Sequence, residues 1–179
     1  MHDNPQQTLR YAYFAELFDG EGSFCICKQS SEYYMKKTKR KNPHYHPLVR
    51  MGLTNRTLLD EMQRLFQCGK VYDEGIRKGR PDHKPMYRFQ TTSRDDCVKI
   101  INLLLPELTE KKSQALLVKK FCEGWKSPFN RQSGIDPEEL HRREELYYKV
   151  RKLNTVGVAA TTESLRPERV SDSLNSMET

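Results

Sequence analysis

The sequence has no long apolar run. Its longest apolar stretch, residues 100–105 of 179, is interrupted by Asn102, whereas a membrane-spanning helix needs about 20 consecutive apolar residues. The opening MHDNPQQ lacks the apolar core of a secretory signal and the Arg-rich, acid-poor character of an organelle transit peptide. An intracellular protein with no membrane partner is expected. Cysteine is sparse and odd in number: Cys25, Cys27, Cys68, Cys97 and Cys122, with no C-x-x-C pair. That argues against a disulfide framework and a zinc site and for buried free thiols in a reducing compartment. Apolar residues make up only 36 % of the chain, yet 21.1 kDa is enough for one domain with a real core and a tail.

Charge is abundant and unevenly placed. The chain carries 31 Lys and Arg against 24 Asp and Glu, a net +7. Residues 28–50 hold seven bases and one acid, for +6, and residues 77–88 hold five bases and one acid, for +4. Residues 154–179 carry four acids and two bases, for −2, so the body before them stands at +9. A polyanion is the natural partner of such a body, although a solubilising surface has the same composition.

Periodicity gives the order of elements. Residues 8–19 predict a helix in which Leu9, Tyr13, Leu17, Phe14 and Phe18 recur at helical spacing. Residues 23–31 and 48–54 alternate as strands, joined by a basic polar loop over 36–46. A helix over 57–67 ends near Gly69, and strands over 70–76 and 85–92 follow, joined by a second basic tip. Helices are expected over 93–105, 108–122 and 137–153, the last opened by Pro137. This α+β pattern implies an antiparallel four-stranded sheet with helices on one face. Its open face would carry Gln29, Ser31, Arg50, Thr54, Tyr72, Arg77, Arg88 and Gln90. An ordinary half-solvated sheet alternates in the same way, but here both interstrand tips are basic too.

The segment FAELFDGEG over residues 14–22 is the most informative. It sets Asp19 and Glu21 at a helix C-terminus, where the macrodipole is negative and each carboxylate costs a few tenths to ~1 kcal/mol. Such an arrangement suggests a cation in view, and oxygen ligands suit Mg²⁺. A turn with solvated acids is the plainer reading of those residues alone.

With the DGEGSF ending that runs on to Phe24, this segment resembles the LAGLIDADG motif of homing endonucleases. The resemblance implies an αββαββα core over residues 1–125 with a four-stranded antiparallel saddle sheet. Extra C-terminal helices over 126–153 and a polar tail over 154–179 would follow. It implies that Glu21, with the Gly20 backbone, holds divalent metal (Mg²⁺, with Mn²⁺ or Ca²⁺ able to occupy the site). It implies that the motif helix meets its counterpart through Ala12, Ala15, Glu16, Asp19 and Gly20. Glu16 departs from the family pattern, which has glycine there. The segment LPELTEKKSQA over 105–115 is similar to the family's lysine-bearing stretch. It makes Lys111 the candidate active-site lysine, with Lys112 beside it. By the same resemblance LTNR over 53–56 makes Asn55 the candidate for orienting water, with Arg56 beside it.

One motif copy is present, so the resemblance implies a homodimer on a long pseudo-palindromic DNA duplex. Metal-dependent phosphodiester hydrolysis leaving 3′ overhangs would be its activity, with no small-molecule cofactor. Gln29, Arg50, Arg77, Arg88 and Gln90 are the candidates for base readout, with Ser31 and Tyr72 also on that face. Lys37, Lys39, Arg40, Lys78 and Arg80, in the two basic tips, are the candidates for phosphate contact. Three alternatives remain. One is a non-cleaving relative, an intron RNA maturase or transcription regulator. Another is an RNA binder that stacks bases on sheet aromatics. The last is a small acid–base enzyme built on Asp19 and Glu21. Such genes sit in organelle, bacterial and phage introns alike, so the compartment stays open between them.

Overall fold

The computed structural model describes residues 5–29, 42–76, 79, 81–126 and 135–155. Helix α1 (Pro5–Glu21) leads directly into strand β1 (Gly22–Gln29), which pairs antiparallel with β2 (His44–Leu53). Helix α2 (Arg56–Phe66) returns the chain to β3 (Lys70–Gly75) and β4 (Met86–Thr91). Three helices follow, α3 (Arg94–Leu104), α4 (Lys112–Glu123) and α5 (Pro137–Thr155). The sheet order is β1-β2-β4-β3, antiparallel throughout. The expected α+β architecture is present, and no helix among the described residues is long and apolar enough to cross a membrane.

The core lies between the sheet and α1 to α4. Phe24, Ile26, Val49, Met51 and Phe89 point into it from the strands, against Phe14, Ala15 and Phe18 of α1 and Leu59, Met62 and Phe66 of α2. Aromatic rings bind these layers: Phe18 stacks on Phe24 at 5.3 Å, and Phe66 packs against Phe14, Phe18 and Phe89. Local signals account for the helix ends. The Asn55 side chain caps α2 by accepting from the Leu58 amide, and Ser93 caps α3 through the Asp96 amide.

Helix α1 turns its Phe14, Ala15 and Phe18 face inward, which leaves Leu9 and Tyr13 72 % and 50 % exposed. Two expectations are corrected. His44 and His46 belong to β2 rather than to a loop, and their rings stack at 5.6 Å. The helix expected from residue 108 begins only at Lys112, with residues 105–111 forming turns after α3. Among the cysteines, all free, Cys97 and Cys122 are buried as expected, whereas Cys25, Cys27 and Cys68 are only half-buried.

Helix α5 runs antiparallel to β1. Lys28 pairs with Glu144 at 2.5 Å, Leu146 and Val150 join the core, and the Asn154 amide donates to the Phe24 carbonyl at 3.1 Å. Its first turns are pinned by Glu139, which accepts from Arg142 and from the fully buried Arg143, whose guanidinium lies 3.5 Å over Trp125.

Gly22, where α1 passes into β1, is required by close approach. An ideal Cβ there would lie 2.2 Å from Phe18 Cδ1 and 2.7 Å from Phe18 Cα. Gly22→Ala is therefore expected to cost about 1–3 kcal/mol, the range for overpacking a filled core. A denaturation midpoint equal to that of the unsubstituted protein would contradict this.

Candidate active site and nucleic-acid face

The end of α1 and the start of α4 cap one another. The Asp19 carboxylate accepts from the Thr109 amide (2.7 Å), the Thr109 hydroxyl (2.9 Å) and the Lys111 amide (2.8 Å). Lys111, at the start of α4, has no side-chain cap hydrogen bond of its own, so Asp19 supplies the missing acceptor from across the fold. In return the Lys111 ammonium donates to the carbonyls of Phe18 (3.0 Å), Gly20 (3.1 Å) and Gly22 (2.8 Å). Three donors thus meet three carbonyls at the negative end of the helix dipole.

Both groups titrate accordingly. Burial pushes the Asp19 carboxyl up, but the hydrogen bonds from Thr109 and Lys111 outweigh it and hold the group below its ordinary value. Burial pulls the Lys111 ammonium down, and the Asp19 and Glu21 carboxylates offset this only in part. The cation that the acids at residues 19 and 21 call for includes this lysine of the same chain.

Glu21 is the last residue of α1 and is exposed. Among the described residues its carboxylate has no hydrogen bond or ion-pair partner, while Lys111 lies close enough to feel its charge. Gly20 is exposed, and, its own helix backbone aside, no atom of the described residues lies within 4 Å of where its Cβ would be. The Glu21 carboxylate and the Gly20 carbonyl are hard oxygen donors of the kind Mg²⁺ takes. One chain provides only part of a coordination shell: among the described residues, no three His, Cys, Asp or Glu side chains gather around a common point. The donor chemistry fits a divalent ion whose remaining ligands come from elsewhere. Asn55 is exposed, with its Oδ1 used in capping α2 and its amide nitrogen without an acceptor among the described residues. Beside it, Arg56 pairs with Asp60 at 3.5 Å and lies 5.7 Å over the Tyr87 ring.

The face of the sheet opposite the core is polar. One cross-strand row runs Ser23, Arg50, Gln90, Lys70, and the next runs Gly52, Arg88, Tyr72. Arg50, Tyr72, Arg88, Gln90 and Gln29 therefore share this face, as expected. Ser31, Lys37, Lys39, Arg40, Arg77, Lys78 and Arg80 lie outside the described residues. Sequence reasoning missed Glu74, which pairs with Arg88 at 2.9 Å.

On α1, Ala12, Glu16 and Gly20 line the outward face together with Leu9 and Tyr13. Ala15 is corrected: it is fully buried in its own chain's core and has no surface to offer a partner helix. Asp19 is turned toward Thr109 and Lys111.

No protein-family model matches the chain, and no curated protein matches it. Solved structures do. The homing endonuclease I-CvuI, in complex with its target and Ca, is 23 % identical with a TM-score of 0.64, over 84 % of this chain and 85 % of that one. The archaeal intron-encoded homing endonuclease I-Vdi141I, complexed with DNA, is 19 % identical with a TM-score of 0.60, over 81 % and 84 %. The LAGLIDADG meganuclease I-AabMI, bound to uncleaved DNA, is 16 % identical with a TM-score of 0.55, and 88 % of this chain covers 53 % of it. The chain has the fold of the LAGLIDADG homing endonucleases.

Proposed function

We propose that the protein is a site-specific double-strand DNA endonuclease of the homing type. It acts as a homodimer on a long pseudo-palindromic target and leaves 3′ overhangs. The observation that carries this reading is the end of α1. There an exposed Glu21, unpaired among the described residues, stands beside the Lys111 ammonium at the point where the chain enters a sheet with a polar, arginine-bearing open face.

Two copies joined through the outward face of α1 would bring two Glu21 carboxylates and two Gly20 carbonyls together. Leu9 and Tyr13 would be covered, and small residues at 12 and 20 would allow close approach. Glu16, exposed on the same face, would meet the partner near the two-fold axis. Glu21 and Gly20 would hold a divalent ion, which when bound supplies charge neutralisation at the scissile phosphate and at the departing oxygen. Lys111, through its three carbonyl bonds, fixes where Glu21 sits and adds positive charge beside the phosphate. Asn55 would orient the attacking water through its amide nitrogen. The open face would lie in the major groove, with Arg50, Arg88, Gln29 and Gln90 toward base edges. The setting is intracellular, in an organelle or in bacterial or phage-infected cytoplasm.

Duplex selected from a random library should be cut in Mg²⁺ and left intact in EDTA. Sedimentation should give twice the chain's 21.1 kDa. Binding without cutting in Mg²⁺ or Mn²⁺ would instead support a non-cleaving DNA-binding relative. A 21 kDa species with and without DNA would overturn the homodimer.

A further inference from the structure

At the outer strand of the sheet, the pairing of β3 with β4 is interrupted between Asp73 and Gly75. Tyr72 opposes Arg88 and Asp73 opposes Tyr87, but Gly75 already opposes Met86, so Glu74 is the extra residue of a β-bulge. The bulge is built, not incidental. The Asp73 carboxylate accepts from the Gly75 amide at 2.8 Å, and Gly75 takes φ +65°, a conformation that favours glycine. Glu74 is two residues on from Tyr72, so the alternation of the strand places it on the face that carries Tyr72 and Arg88. The bulge leaves it without a residue opposite on β4, and its carboxylate meets Arg88 Nη1 at 2.9 Å. The guanidinium also lies 5.8 Å from the Tyr72 ring centroid. Arg88 is thereby held from two sides on the open face, 32 % exposed, next to a glycine, Gly52, on β2.

An arginine meant only to track phosphate gains nothing from a carboxylate partner, which cancels its long-range attraction. An arginine meant to read a base gains orientation. The Glu74 bond engages one of five N–H donors, and two are enough for the paired acceptors O6 and N7 on a guanine edge. We propose that Glu74 is a positioning residue for sequence specificity: from the bulge at residues 73–75 it pairs with Arg88 and presets that guanidinium to read guanine. This deepens the DNA-binding reading and rests on it. The row bearing Arg88 lies at the end of β2 where β1 leaves α1, so the guanine belongs to an inner position of each half-site.

The test selects duplexes from a randomised library in Ca²⁺ with the full chain and with Glu74→Gln, Arg88→Leu and the double variant, then compares base preferences position by position. The unsubstituted protein should prefer guanine at one symmetry-related pair of positions by about 5- to 150-fold, the range for a bidentate arginine contact. Arg88→Leu should abolish that preference. Glu74→Gln should reduce it to less than about half, with other positions unchanged, and have no further effect once Arg88 is gone. Because Glu74→Gln also removes a negative charge from the binding face, binding to unselected duplex should rise as selectivity falls. A merely structural glutamate would lower both together. An unchanged profile for Glu74→Gln, or even flattening at all positions, would overturn the proposal while leaving DNA recognition intact. Failure of the unsubstituted protein to enrich any sequence would overturn the DNA-binding reading and this proposal with it.

Discussion

Glu21→Gln is expected to abolish strand cleavage while leaving the fold and duplex binding in place. The Glu21 carboxylate is exposed and has no hydrogen bond or ion-pair partner among the described residues. Exchanging one oxygen for an amide therefore removes no structural contact. What it removes is the negative oxygen donor that the proposed chemistry needs at the α1 terminus. Losing an outer-shell partner of a metal costs ~10–100-fold in activity or affinity, so loss of a first carboxylate ligand should exceed that. The measurement is cleavage of a selected duplex in Mg²⁺, paired with binding of the same duplex in Ca²⁺ and a thermal melt. Cleavage within a few-fold of the unsubstituted rate would remove Glu21 from the mechanism. Equal loss of binding and cleavage would make it a DNA contact instead.

Asp19→Ala, two residues earlier, is expected to act in the opposite way, on stability first. It deletes the acceptor of three hydrogen bonds and leaves the amides of Thr109 and Lys111 without their partner. Hydrogen bonds to a charged group contribute about 1.5–3 kcal/mol each, but the three share one partly exposed carboxylate. A total loss of about 2–4 kcal/mol is expected. Urea unfolding at neutral pH measures it.

The pH dependence follows from the direction of the shift. The Asp19 carboxyl is held below its ordinary value in the folded chain, so its contribution is fully present above the unfolded pKa of about 3.9. It is lost as pH falls through the lower folded value. The stability gap between the unsubstituted protein and Asp19→Ala should therefore close in acid. Lys111→Met removes the other half of the reciprocal cap, and the double variant should cost less than the sum of the two because they share one interface. A neutral-pH midpoint for Asp19→Ala within experimental error of the unsubstituted protein would refute the capping role.

Most of the architecture was legible because it rests on local rules. Alternation in β1, β2 and β4 identified the core face through Phe24, Val49 and Phe89, and Ser93 and Asn55 stand where helix caps belong. Legibility failed where a residue's partner is distant in sequence. Helical spacing places Leu9 and Tyr13 in line with Leu17, but which side of α1 faces the sheet is decided by packing against α2 and the strands. Helical spacing alone starts α4 four residues early, because nothing local announces a cap that arrives from residue 19. The cost of an acid at a helix C-terminus was correctly sensed at Asp19, but its compensation lies 90 positions away, at Thr109 and Lys111. Glu74 escaped notice because its partner, Arg88, lies on another strand, and only the register of β3 with β4 brings the two together.

The two outer strands of the sheet bear on how the chain can associate. An unprotected sheet margin is a template for another chain's backbone. Along β1 that template is partly blocked: α5 lies beside the strand, and Asn154 already occupies the Phe24 carbonyl. Along β3 it is spoiled, since the bulge breaks the ladder and Asp73 and Glu74 place two negative charges on the rim. Growth by strand addition is disfavoured on both sides. The exposed apolar side chains of α1, Leu9 and Tyr13, lie on a helix, which has no open backbone ladder to extend. Association through that face can close on itself as a pair, and the same margins that protect the sheet keep such a pair from becoming a fibre.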